Sequence, residues 1–104
     1  MTDQPSLKDI RKEISVHPAF KSVATVKKMK EPNGSKTVKQ AKEIGVFLSR
    51  VAGHDEHDIA KTFGYTNDKS VSNVFRKAAL DYKNDGLFAH AVEQIAEKLD
   101  ISLE

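Results

Sequence analysis

Apolar residues recur at helical spacing in a series of short segments divided by polar breaks. Leu7, Ile10, Ile14 and Val16 predict a helix over 7–16. Ser6 is placed to cap it, with Asp9 three residues later in the acidic position of a capping box. Pro18 disfavours a helical His17 and ends the segment. "KSVATVKKMK" predicts a short helix with Val23, Val26 and Met29 inward, and "KEPNGSK" breaks the chain again. Val38, Ala41, Ile44, Gly45, Leu48, Val51 and Ala52 share one face of a helix over 37–52. A glycine inside a helix costs about 1 kcal/mol, so Gly45 predicts a close approach by a second helix.

Gly53 suits the end of that helix, and Asp55 suits the cap of a shorter one carrying Ile59, Ala60 and Phe63. Val71, Val74, Phe75 and Ala78 then predict a helix over 68–82. "KNDG" ends it, and Phe88, Val92, Ile95 and Leu99 form the inner face of a last helix over 87–99. No window alternates convincingly enough for a strand. The pattern predicts an all-α fold: a compact bundle of five or six helices containing a helix–turn–helix. Residues 1–6 are expected to be a flexible tail, and residues 7–104 one domain.

The helix–turn–helix is expected in "DIAKTFGYTNDKSVSNVFRKA", residues 58–78. Phe63 anchors the corner, Gly64 can take a positive φ, and Asn67 caps the second helix. That leaves Asp68, Lys69, Ser70, Ser72 and Asn73, then Arg76 and Lys77, on the outer face. Serine and asparagine can bond base edges, and lysine and arginine reach phosphates or guanine.

Charge sharpens this picture. The chain as a whole carries +2 over 104 residues, but the charge is unevenly spread. Between residues 21 and 42, seven lysines face one acid, a balance of +6. Between residues 81 and 104, six acids face two lysines, a balance of −4. Such a split suits a basic face that meets an anion, with an acidic face held away from it. Lys27 and Lys28 precede the "KEPNGSK" break, Lys30 and Lys36 are its first and last residues, and Lys39 and Lys42 follow it.

Other chemistry is poorly served. With no cysteine, disulfides and thiolate metal sites are excluded. "GHDEHD" gathers His54 and His57 with three acids, but consecutive residues fan out around a helix start, and HExxH spacing is absent. No metal, cofactor or small-molecule substrate is expected, and no enzyme activity. No apolar run approaches a membrane span, and the N-terminus lacks the apolar centre of a secretory signal, so a cytoplasmic protein is expected.

Residues 58–78 resemble the C-terminal DNA-binding domain of the bacterial replication initiator DnaA, whose pattern there is roughly "EIGxxFGGRDHSTVxxAxxKI". The resemblance extends over about Leu7 to Leu99, through "KTVKQAKEIGVFLSRVAGHDEHDIA", "IRKEISVHPAF" and "FAHAVEQIAEKL". It implies a Trp-repressor-like helix–turn–helix with Ile59, Phe63, Gly64 and Val71 as its frame. It implies that Thr66, Asn67, Asp68, Lys69 and Ser70 lie where the family reads bases and holds phosphates. It places Lys36 and Lys42 near the DNA backbone, and Gln40 where the family has a minor-groove arginine. Thr66, Asn67 and Asp68 replace the family's Arg, Asp and His. The loss of such contacts, each worth about 1–3 kcal/mol of discrimination, predicts a target other than the initiator's own box. A GxxxxGK[ST] segment is absent, so no ATPase module is expected.

The expected partner is therefore double-stranded DNA, with nucleoid association and a role as a small regulator of replication or transcription. Thr66, Asn67, Asp68, Lys69, Ser70 and Asn73 would face the major groove. Lys27, Lys28, Lys30, Lys36, Lys39, Gln40, Lys42, Arg76 and Lys77 would hold the backbone or minor groove. A homodimer or a protein partner would extend the site. The alternative is a protein–protein module that keeps the helix–turn–helix without DNA readout.

Overall fold

A computed structural model describes residues 5–32 and 34–103. Within them lie six helices: α1 Leu7–Val16, α2 Val26–Lys30, α3 Lys36–Val51, α4 Glu56–Phe63, α5 Asp68–Asn84 and α6 Gly86–Leu99. The described residues contain no strand, and no helix among them is long and apolar enough to cross a membrane. Each start is written into the sequence. Ser6, Thr25, Ser35, Asp55, Asn67 and Asp85 all sit at N-caps, each accepting from a backbone N–H of the first turn.

The third helix is the axis of the bundle, with every residue from Ala41 to Ser49 buried. It touches all five other helices. The contact with α4 is as close as Gly45 predicts, for a methyl group at that position would overlap the Phe63 ring. Against α5, Phe47 stacks on Phe75 at 5.7 Å and on Tyr82 at 5.3 Å. Ile10, Ile14, Met29, Ile44, Leu48, Ile59, Val71 and Ile95 complete the centre of the core.

The ends of the elements account for three departures from the expected core. Val16 is exposed because α1 stops there, with His17 extended before Pro18. Val23 is exposed because the short helix does not begin until Val26: Thr25 caps it, and residues 21–23 form a turn with Ser22 at φ 74°. Val51 is on the surface because the chain reverses straight after it. Gly53, at φ 96°, donates to Arg50, and His54 donates to Ser49, the paired bonds of a Schellman motif. Of the six residues read as a tail, 1–4 lie outside the described residues, as does Asn33 of the break. Pro5 and Ser6 belong to the fold: the Pro5 carbonyl meets His54 Nε2 at 2.8 Å, and Ser6 closes a capping box with Asp9.

The helix order separates the two charged regions. Among the described residues, α6 packs on α1, α3 and α5 but does not touch α2 or α4. The acid-bearing last helix therefore lies away from the lysine-bearing α2 and from the corner that follows α4.

Candidate functional site

Between α4 and α5 the chain turns in four residues, Gly64 to Asn67. Gly64 is left-handed at φ 75°, and Tyr65 N–H returns to the Ala60 carbonyl at 2.9 Å, which satisfies the end of α4. Arg11 reaches the same helix end from α1, donating from Nη1 to the Thr62 carbonyl at 2.7 Å. At the other side of the turn, Asn67 Oδ1 accepts from the Ser70 N–H at 2.9 Å and the Ser70 hydroxyl at 3.2 Å. Two contacts tie the start of α5 to α4: Ser72 donates to the Glu56 carboxylate, and His57 Nδ1 lies 3.4 Å from Asp68 Oδ1.

These bonds decide what the candidate reading residues have left to offer. Thr66, Lys69, Asn73 and Arg76 are exposed on the turn and the outer face of α5. Arg76 Nη2 donates to Asn73 Oδ1 at 3.2 Å, so the two side chains are presented as a pair. Asn67 and Ser70 hold each other in the cap, and Asp68 is drawn toward His57. Lys77, exposed, is held between Glu43 Oε1 at 3.2 Å and Asp81 Oδ2 at 3.0 Å.

The glycine at the turn also brings the lysine-rich segment into place. A methyl group at Gly64 would lie on the Lys30 carbonyl and against that of Glu31. The end of α2 is thus seated directly on the corner. Lys27, Lys28, Lys30, Lys36, Lys39 and Gln40 are all exposed. Gly64→Ala adds a left-handed non-glycine residue, worth about 1–2 kcal/mol, and forces the Lys30 peptide away. Thermal unfolding should show a loss of about 2 kcal/mol, or roughly 10 °C; an unchanged midpoint would mean the two segments are not seated together.

Lys42 requires a correction. It is buried, donating from Nζ to the Glu31 carbonyl, with Tyr65 below it at 5.4 Å from the ring centroid. Burial, opposed by Glu31 and aided by Lys39, holds its pKa below the ordinary value. Its ammonium ties α3 to the segment after α2 and is not free for a phosphate. The next residue, Glu43, is also buried: burial first, and the neighbouring Asp81 carboxylate second, push it above the usual carboxylate range against the pull of Lys77. Tyr65 is raised by burial and by Glu43.

Glu43 and Tyr65 border a cleft between α3 and α5 with a volume of about 360 Å³. Neither residue stands out in the sequence as a site residue. The available signal is that Lys42 and Glu43 are the only charges in the run 41–49 of the central helix. The "GHDEHD" residues go to separate tasks, with Asp55 capping α4, His54 on Pro5 and His57 on Asp68. Among the described residues no three metal-ligating side chains come together.

Comparison of the chain with family models, curated proteins and solved structures returns no match.

Proposed function

We propose that this chain is a sequence-specific double-stranded DNA-binding protein, a small regulator of replication or transcription. The observation that carries this is the seating of α2 on the corner at Gly64. It sets the C-terminal end of α2, the helix that carries the exposed lysines 27, 28 and 30, on the turn, while α6 does not touch α2 or α4. Thr66, Lys69, Asn73 and Arg76 would enter the major groove from the turn and the first turns of α5. Asn73 and Arg76 bring amide and guanidinium groups suited to adenine and guanine edges. Lys27, Lys28, Lys30, Lys36 and Lys39 would hold phosphates, with Gln40 toward the minor groove. The resemblance of residues 58–78 to the initiator's DNA-binding domain supports the same assignment.

Selection from a random duplex library tests it. Enrichment of a short motif distinct from the initiator's box is expected; recovery of no motif from pure protein at low salt would overturn the proposal.

One observation favours a second reading. Leu80 is 60% exposed on α5, one turn beyond Arg76, and much of the polar chemistry at positions 67–70 is committed within the protein. An interaction module would use that apolar position against a protein partner. Leu80→Asp separates the two, because it should abolish protein capture and leave duplex binding nearly unchanged.

A further inference from the structure

The hydrogen bonds at the start of α5 leave its outer face with many donors and few acceptors. Asn67 Oδ1 accepts from both the N–H and the hydroxyl of Ser70, at 2.9 and 3.2 Å, so both of its lone pairs are engaged. Asn73 Oδ1 accepts from Arg76 Nη2 at 3.2 Å. A guanidinium has no acceptor, so Arg76 also fixes which way round the Asn73 amide lies. The Asp68 carboxylate meets His57 on α4, with Oδ1 3.4 Å from Nδ1. What remains to offer are the amide protons of Asn67 and Asn73, the Lys69 ammonium and the other N–H groups of Arg76, all on exposed residues. Against them stand only the Thr66 hydroxyl, which can equally donate, and the second Asp68 oxygen.

Lys69, Asn73 and Arg76 recur at i, i+4 and i+7, one stripe along α5. At 1.5 Å per residue the stripe is about 10 Å long, or roughly three base steps of about 3.4 Å.

We propose that this stripe reads guanine: Lys69, Asn73 and Arg76 donate to N7 and O6 of guanines within a core of about three adjacent base pairs. The base follows from the balance of donors. In the major groove guanine shows two acceptors and no donor, adenine one of each, thymine one acceptor beside a methyl group, and cytosine a single donor. A free asparagine suits adenine, because it accepts from N6 while donating to N7. With Oδ1 on Arg76, Asn73 keeps the donating half, which suits N7 or O6 of guanine. This assignment rests on the proposed function and names the base chemistry of its target.

Pure protein would be titrated at low salt with duplexes of one length and one set of flanks, followed by fluorescence anisotropy. The central three pairs would be GGG·CCC, AAA·TTT, or GGG·CCC with each guanine replaced by 7-deazaguanine or by hypoxanthine. GGG should bind at least about tenfold more tightly than AAA. 7-Deazaguanine, with a C–H in place of N7, should weaken binding about tenfold. Hypoxanthine keeps N7 and O6 and lacks only the minor-groove amino group, so it should bind like guanine. Arg76 is exposed, so Arg76→Met should keep the thermal midpoint. It frees Asn73 Oδ1, so one of the cores AGG, GAG or GGA should bind that variant more tightly than GGG does. Equal binding of GGG and AAA, unchanged binding to 7-deazaguanine, or a variant that still ranks GGG first would overturn the assignment and leave duplex binding standing. Binding to none of the duplexes would overturn the proposed function, and the assignment with it.

Discussion

Raising the salt from about 50 to about 200 mM should weaken duplex binding several-hundredfold. Each phosphate neutralised contributes about 0.9 to the negative slope of log affinity against log salt. Five exposed lysines, at 27, 28, 30, 36 and 39, lie on α2 and the first turns of α3. Their combined slope is about −4.5, which over a fourfold rise in salt gives roughly 500-fold. Lys36→Glu with Lys39→Glu should flatten the slope by about 2 units and weaken binding at every salt concentration. Lys42 behaves differently. It is buried against the Glu31 carbonyl, so Lys42→Met should lower stability and leave the slope unchanged. A slope near zero for the wild type, or a flattened slope for Lys42→Met alone, would contradict this division of labour.

The second large effect belongs to Glu43. Its pKa rises from an ordinary 4.5 to about 7 in the folded protein, chiefly through burial. A carboxyl raised by folding binds its proton more tightly in the native state than in the unfolded one. Its contribution is therefore fully present below the unfolded value and is lost as pH rises through the folded value. Between pH 5 and pH 8 this amounts to roughly 2–3 kcal/mol of stability lost on raising the pH. Asp81 shifts the other way, its pKa lowered by Glu43 and Lys77, so its contribution changes only in acid below that window. Lys77 is raised, and its change lies above the window. Chemical denaturation of wild type and Glu43→Gln at pH 5 and pH 8 isolates the effect. The difference between the two proteins should change by that amount over the interval, the wild type losing ground at pH 8. Parallel profiles would show that Glu43 titrates normally.

Much of the frame is legible in the residues. Caps at Ser6, Asp55 and Asn67, the glycine at 64 and the apolar spacing of 71, 74, 75 and 78 encode local geometry, which short-range rules capture. Gly45 even announced a long-range contact, because a helix carries such a residue at a cost. The site was less legible. Lys42 reads as one more surface lysine, since nothing local says that the Glu31 carbonyl will be waiting above it. Glu43 reads as its solvated neighbour, although it falls in the stretch 41–49 of α3, every residue of which is buried in the assembled bundle. Arg11, 7% exposed at the end of α4, was hidden in the same way. Burial of a charge on a central helix depends on which elements cover it, and that is fixed by the assembled bundle rather than by sequence spacing. Val23 erred in the other direction: its spacing suited a helix that Thr25 delays until Val26.

The central claim is that one face, built from the corner and the segment seated on it, meets double-stranded DNA. The most direct measurement is a titration of labelled protein with a short duplex at low salt, followed at each backbone amide by NMR. The account predicts shifts at Thr66, Lys69, Asn73 and Arg76, and at residues 27–30 and 36–40, with α6 unperturbed. Shifts centred on α6 or on α1, or no shifts at all, would contradict it.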